Sequence, residues 1–144
     1  MDLSLILAHL KTQLVGARGL KSVGLSAELD AAIEGGVAVP AAFVLPLAES
    51  AADMELLSST AQQVVQTFGV VHVVSNRRDA QGGAALNDLH ALRLVLRAAL
   101  VGWVPDAATG EAVTYTAGRL MKMDGDGRLF WIDEFKLTTY YWSA

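Results

Sequence analysis

The sequence predicts an α+β domain of two layers, a mixed or antiparallel β-sheet covered by helices, in the order α-α-β-β-α-β-β. Three observations carry that expectation. The stretch from Gly118 to Trp142 reads as a long β-hairpin, with two apolar and aromatic runs flanking Asp124-Gly125-Asp126-Gly127, a tetrapeptide suited to the positive-φ positions of a tight turn. Two earlier apolar runs, Pro40 to Leu47 and Gln62 to Ser75, read as another pair of strands. Between the pairs lies one long amphipathic stretch, from about Ala84 to Gly102, able to cover a sheet face.

Taken in order, Asp2 can cap a first helix whose apolar positions Leu3, Ile6, Leu7, Leu10 and Leu14 recur at steps of three and four. Gly16 and Gly19 end it, and Arg18, Lys21 and the glycines suggest a solvated turn. Ser26 caps a short second helix, with Glu28 in its first turn and Gly35-Gly36 as the stop. Pro46 cannot donate to a ladder, so it marks the end or an edge of the first strand. Ala48 to Ser59 is expected as a loop, long enough to be a functional excursion.

Gln62 to Ser75 carries Val64, Phe68, Val70 and Val74 on one face and Val65, Val71 and Val73 on the other. Apolar residues on both faces predict a central strand, covered twice by its own chain or once by a neighbouring subunit. After a polar loop, Asn76 to Gly83, the long helix places Leu86, Leu89, Leu92 or Arg93, Leu96, Leu100 and Trp103 on one stripe. Asn87, His90 and Arg97 lie opposite, and Gly102 with Pro105 ends the helix. Asp106 to Glu111 then leads through Val113 to Thr116 into the hairpin.

Five of the ten aromatic residues fall between Phe130 and Tyr141, with Trp142 a sixth. Aromatic side chains dominate core and interface energetics, so fold and association both depend on this ribbon. Leu129, Trp131, Phe135 and Leu137 are assigned to the core. Phe130, Ile132, Tyr140 and Trp142 form an opposite face too apolar for plain solvent, and together with Val65, Val71 and Val73 they are the expected interface.

The chain has 144 residues, 53% of them apolar and 18% charged, which fits one folded domain over residues 1–144 and argues against disorder. Net charge is −4, and no basic cluster exceeds Arg77-Arg78, so specific nucleic-acid binding is not expected. There are no cysteines, which removes disulfides, thiolate metal sites and cysteine nucleophiles. No signal peptide is evident and no apolar run approaches the roughly 20 residues of a membrane span, so a soluble protein is expected.

No chemistry stands out. His9, His72 and His90 have no metal-ligand spacing, and His72 in its valine run reads as a packed or interface histidine. Arg128 and Leu129 interrupt a calcium-loop reading of the glycine-rich turn. Asp133 and Glu134 point to opposite faces of a strand, and Glu134 with Lys136 reads as the ribbon's polar side. Gly82-Gly83 fails the nucleotide fingerprints, and no Gly-x-Ser-x-Gly elbow is present. No catalytic, cofactor-binding or metal site is therefore expected.

The blocks Pro40-Ala-Ala-Phe-Val-Leu-Pro-Leu47, Gln66 to Val74, Asn76-Arg-Arg-Asp79, Leu89-His-Ala-Leu92, Leu100-Val-Gly-Trp103, Gly118-Arg-Leu120, Trp131-Ile-Asp-Glu-Phe135 and Thr139-Tyr-Tyr141 resemble, in order and spacing, the tail terminator-like proteins of tailed phages and prophages. The resemblance runs from about residue 40 to the end. It implies a mixed sheet flanked by helices and a structural role without catalytic residues. It also implies a ring, usually of six copies, that caps the head-proximal end of the tail tube, stops its polymerisation and presents the surface for head-completion or stopper proteins. The expected partners are thus other copies of this chain, the tail-tube protein and the head-completion protein, with no membrane. The expected place is the virion neck, after assembly in the host cytoplasm. A neck, head–tail joining or minor tail protein of similar architecture is the alternative, separable by gene neighbourhood. A small enzyme is the third reading, and it requires a pocket gathering His72 with Asp133 or Glu134.

Overall fold

The computed structural model describes residues 3–15, 20–34, 38–52, 60–75, 83–123 and 127–143. The expected cap at Asp2, the glycine stops at 16, 19, 35 and 36, the loops over 53–59 and 76–82 and the turn residues 124–126 lie outside them.

Helix α1 (Ser4–Leu14) buries Ile6, Leu10 and Leu14, as the spacing predicts. The next element departs from expectation. Residues of the supposed solvated turn form a short strand, β1 (Ser22–Leu25), whose Val23 and Gly24 are buried. Helix α2 (Ser26–Ile33) follows directly, with Ser26 as its first helical residue rather than its cap. Leu25 stands at the N-cap position, and its N–H donates to Glu28 Oε2 at 2.7 Å. That bond supplies the half of a capping box in which the third residue reaches back.

Strand β2 (Ala41–Ala51) pairs with β1 in parallel over Ala41–Val44, so β1, α2 and β2 make a crossover unit. β2 also outruns expectation. It passes through Pro46, with a register shift between Pro46 and Ala48, and ends at Ala51, so the start of the supposed 48–59 loop is strand. Pro46 lies beyond the segment that β1 covers, on an open edge, which is where a residue without an N–H is tolerated.

Strands β3 (Thr60–Ser75), β4 (Thr114–Met123) and β5 (Arg128–Ser143) complete one five-stranded sheet in the order β1-β2-β3-β5-β4. All pairings but the first are antiparallel. β3 and β5 pair along their full length, from Thr60 with Ser143 to Ser75 with Arg128. The expected hairpin is therefore present as β4 and β5, and β3 is central as expected. Helix α3 (Gly83–Leu100) connects β3 to β4. It stops at Gly102, whose φ of +86° suits a residue without Cβ.

Strand periodicity sorts the apolar residues into two clusters. On one face, Leu10 and Leu14 of α1 and Leu89, Leu92, Leu96 and Leu100 of α3 pack on Phe68, Val70, Val74, Leu129, Phe135 and Leu137. On the other, Leu29 and Ala32 of α2 pack on Phe43, Val71, Val73, Phe130 and Ile132. The expected two layers thus omit a third element group, because α2 sits across the sheet from α1 and α3. Leu86 is 56% exposed and falls outside the expected stripe of α3, whereas Arg97, expected on the wet face, reaches over the Tyr115 ring at 5.8 Å. His9 joins the helices: its ring stacks on Trp103 at 3.8 Å, and Nε2 donates to the carbonyl of Ala99 at 2.8 Å.

Candidate functional site

The residues expected at an interface divide between two ends of one sheet face. Val71, Val73, Phe130 and Ile132 are at most 2% exposed beneath α2, so burial within the single chain gives these four to the core. The reason is the helix that sequence reading placed on the other side. Val65 and Tyr140 are half-buried at the opposite end of that face. Val65 lies opposite Thr138 and Gln63 opposite Tyr140, which makes Val65 and Tyr140 diagonal neighbours. Trp142 pairs with Ala61 further along the same end. Tyr140 donates its hydroxyl to Glu111 Oε1 at 3.0 Å, and that bond to a carboxylate raises its pKa. On the other face of this end, an open cleft of about 330 Å³ lies between Leu5 and Ile6 of α1, Pro105 and Asp106, and Leu137 and Thr139 of β5.

The same ribbon contains a polar cluster that sequence reading missed. Asp133 has no exposed surface. Its carboxylate accepts from Arg93 Nε at 3.1 Å, Arg93 Nη2 at 3.0 Å, Trp131 Nε1 at 3.1 Å and Tyr115 OH at 3.2 Å. His72 Nε2 lies 3.2 Å from Oδ2, and an ionised carboxylate can only accept, so Nε2 carries the proton there. The Arg93 guanidinium also lies over the Trp131 ring at 4.5 Å. Burial alone would raise the Asp133 pKa, but the hydrogen bonds from His72, Arg93 and Trp131 outweigh it and hold it at about 2. Burial likewise opposes the charge of Arg93, and its bonds to Asp133 overcome that and raise its pKa.

These contacts tie α3 to three strands: Arg93 comes from α3, His72 from β3, Tyr115 from β4, and Asp133 and Trp131 from β5. The structure does bring His72 and Asp133 together, as the enzyme reading required. Both have zero exposure, however, so no substrate reaches either atom of the pair. Among the described residues, no group of three or more His, Asp or Glu side chains could hold a metal ion, and no helix is long and apolar enough to cross a membrane.

Gly118 makes the cluster possible. A Cβ there would lie 2.5 Å from Tyr115 OH, 2.7 Å from Asp133 Oδ1 and 3.0 Å from Arg93 Nη2. Those atoms are locked by bonds to one another, so none retreats without breaking the network. Gly118→Ala is expected to cost about 1–3 kcal/mol, the usual range for overpacking a fitted site. Chemical denaturation measures it, and a cost near zero would show that the cluster yields.

Arg128 has a comparable structural role. It donates to the carbonyls of Ala32 and, at 2.9 Å, Ile33, the last residues of α2, where a cation meets the negative end of the helix. The residue that interrupts a calcium-loop pattern thus fastens α2 to β5.

A family model described as "Phage tail terminator protein" matches residues 1–142. No curated protein matches the chain. Among solved structures, 22 chains match. One belongs to a structure titled "Virion of native gene transfer agent (GTA) particle", similar in fold with a TM-score of 0.51 at 16% identity, covering 97% of this chain and 87% of that one.

Proposed function

We propose, from the premise that this chain belongs to the phage tail terminator family, that it caps the head-proximal end of a tail tube as a ring of identical subunits, expected to number six. The ring ends tube polymerisation and offers its other side to the head-completion or stopper protein. The observation that carries this reading is the match of the family model to residues 1–142, almost the whole chain.

The chemistry of the fold supports a structural role. The acid–histidine pair is shut inside, and the polar cluster around Asp133 bonds helix to sheet instead of facing a cavity. A ring needs two different patches that close by rotation. The end of the sheet where Trp142 continues β5 beyond Val65 and Tyr140 is proposed as part of one of them, since the half-buried apolar and aromatic surface of Val65 and Tyr140 gains from being covered. The protein resides in the virion neck, with assembly in the host cytoplasm beforehand. Elongation of tail-tube protein in its presence tests this reading: added chain should stop tube growth, and unchanged tube lengths would contradict it.

A further inference from the structure

Among the described residues, the sheet ends in two open edges. At one end, β4 pairs with β5 on one side only, and Arg119 to Met123 are all exposed. Leu120 is 48% exposed, Met121 40% and Met123 56%. At the other end, β2 loses its β1 neighbour after Val44, and Leu47 to Ala51 are exposed. Unpaired strand edges carry rows of free N–H and C=O groups, and proteins ordinarily blunt or cover them.

The two edges match each other. In β4, register shifts on either side of Thr116 and Met121 leave Ala117–Leu120 as the regular stretch. In β2, the shift at Leu47 leaves Ala48–Ala51 as another of the same length. Bulges at both edges narrow the choice of register and discourage slippage. The charges are opposite: β4 carries Arg119 and Lys122 and no acid, whereas the open part of β2 carries Glu49 and no base. Arg119 and Lys122 lie opposite Ile132 and Phe130 on the α2 side, and Glu49 lies opposite Gln66 on the α3 side. The edges therefore complement each other in net charge over about a Debye length and not by a direct ion pair. Because the edges bound opposite ends of one sheet, joining them is heterologous and can repeat from copy to copy around a ring.

We infer that the occupant of the β4 edge is a second copy of this chain, whose β2 adds its Ala48–Ala51 segment to Ala117–Leu120 and continues the sheet between subunits. The inference rests on the ring proposed above. It also extends the sheet face bearing Val65 and Tyr140 directly into the neighbour.

Cysteine pairs test the joint, because the natural chain has none. Rotation keeps the same sheet face inward in every copy, so Leu120, opposite Trp131 on the α3 side, should approach Glu49 or Ala51. Those two lie opposite Gln66 and Val64, on the Phe68 side. Within one chain β2 and β4 are separated by two strands, about 14 Å, too far for a disulfide. Leu120→Cys combined with Glu49→Cys or with Ala51→Cys, oxidised with tail-tube protein present, should give a ladder of covalent multimers on non-reducing gels. Each single variant should stay monomeric there, and light scattering should show rings in all of them. Rings without any cross-linked ladder would overturn the edge joint and leave the capping reading standing. Dimers from Leu120→Cys alone would replace it with a symmetric β4–β4 contact. Neither rings nor cross-links would overturn both.

Discussion

Replacing Asp133 by Ala is expected to destabilise the folded chain by about 3–5 kcal/mol, because it strips a buried, hydrogen-bonded charge from its partners. Arg93, His72 and Trp131 would each keep a donor aimed at an empty space, and Tyr115 would lose its acceptor. That is a large part of a typical domain stability of about 5–15 kcal/mol. Denaturant unfolding measures the loss, with Lys136→Ala on an exposed neighbouring position as a control expected within about 0.5 kcal/mol. The same residue sets an acid dependence. Its pKa falls from 3.8 when unconstrained to about 2 in the folded chain. The stability this contributes, about 2 kcal/mol, is complete above pH about 4 and is lost as pH falls toward 2. Asp133→Ala should flatten the stability profile across that window. A profile in the variant as steep as in the natural chain would assign the acid sensitivity to other carboxylates.

Phe130→Ala is expected to cost about 3–5 kcal/mol of monomer stability, the range for truncating a buried aromatic residue. For a chain of this size that lowers the melting temperature by about 10 °C or more. Phe130 is 2% exposed, packs in the cluster of Leu29, Ala32 and Phe43, and lies under the Arg128 guanidinium at 5.4 Å. The sequence-based expectation makes the opposite forecast: an interface residue would leave monomer melting unchanged and abolish assembly. Melting curves at protein concentrations low enough to exclude association decide between the two. An unchanged midpoint would return Phe130 to the interface.

That contrast shows what the sequence made legible. The hairpin, the central β3 and the apolar stripe of α3 were readable because each has many residues repeating one period. The two-faced apolar pattern of β3 and β5 was readable too, but its partner was not. β1 has only four residues, too few for alternation to register, and its parallel pairing to β2 depends on residues some twenty positions away. With β1 unseen, nothing indicated that α2 crosses to the far face, so Phe130 and Ile132 read as surface awaiting a neighbour. The place of Asp133 was not legible for a related reason. Adjacent strand residues do point to opposite faces, but sequence alone did not say which face Asp133 shares with His72. One signal was present: each is a polar residue flanked by apolar residues on its own face of the strand, and two such residues in paired strands suggest mutual satisfaction. The alternation along β3 and β5 did place Val65 and Tyr140 on one sheet face.

The most direct measurement of the central claim is the elongation of tail-tube protein into tubes, followed by electron microscopy with and without this chain. Capping predicts that added protein stops growth, and that a ring of density sits at one end of each tube and never at both. Tubes that grow to the same length in its presence, with neither end decorated, would contradict it.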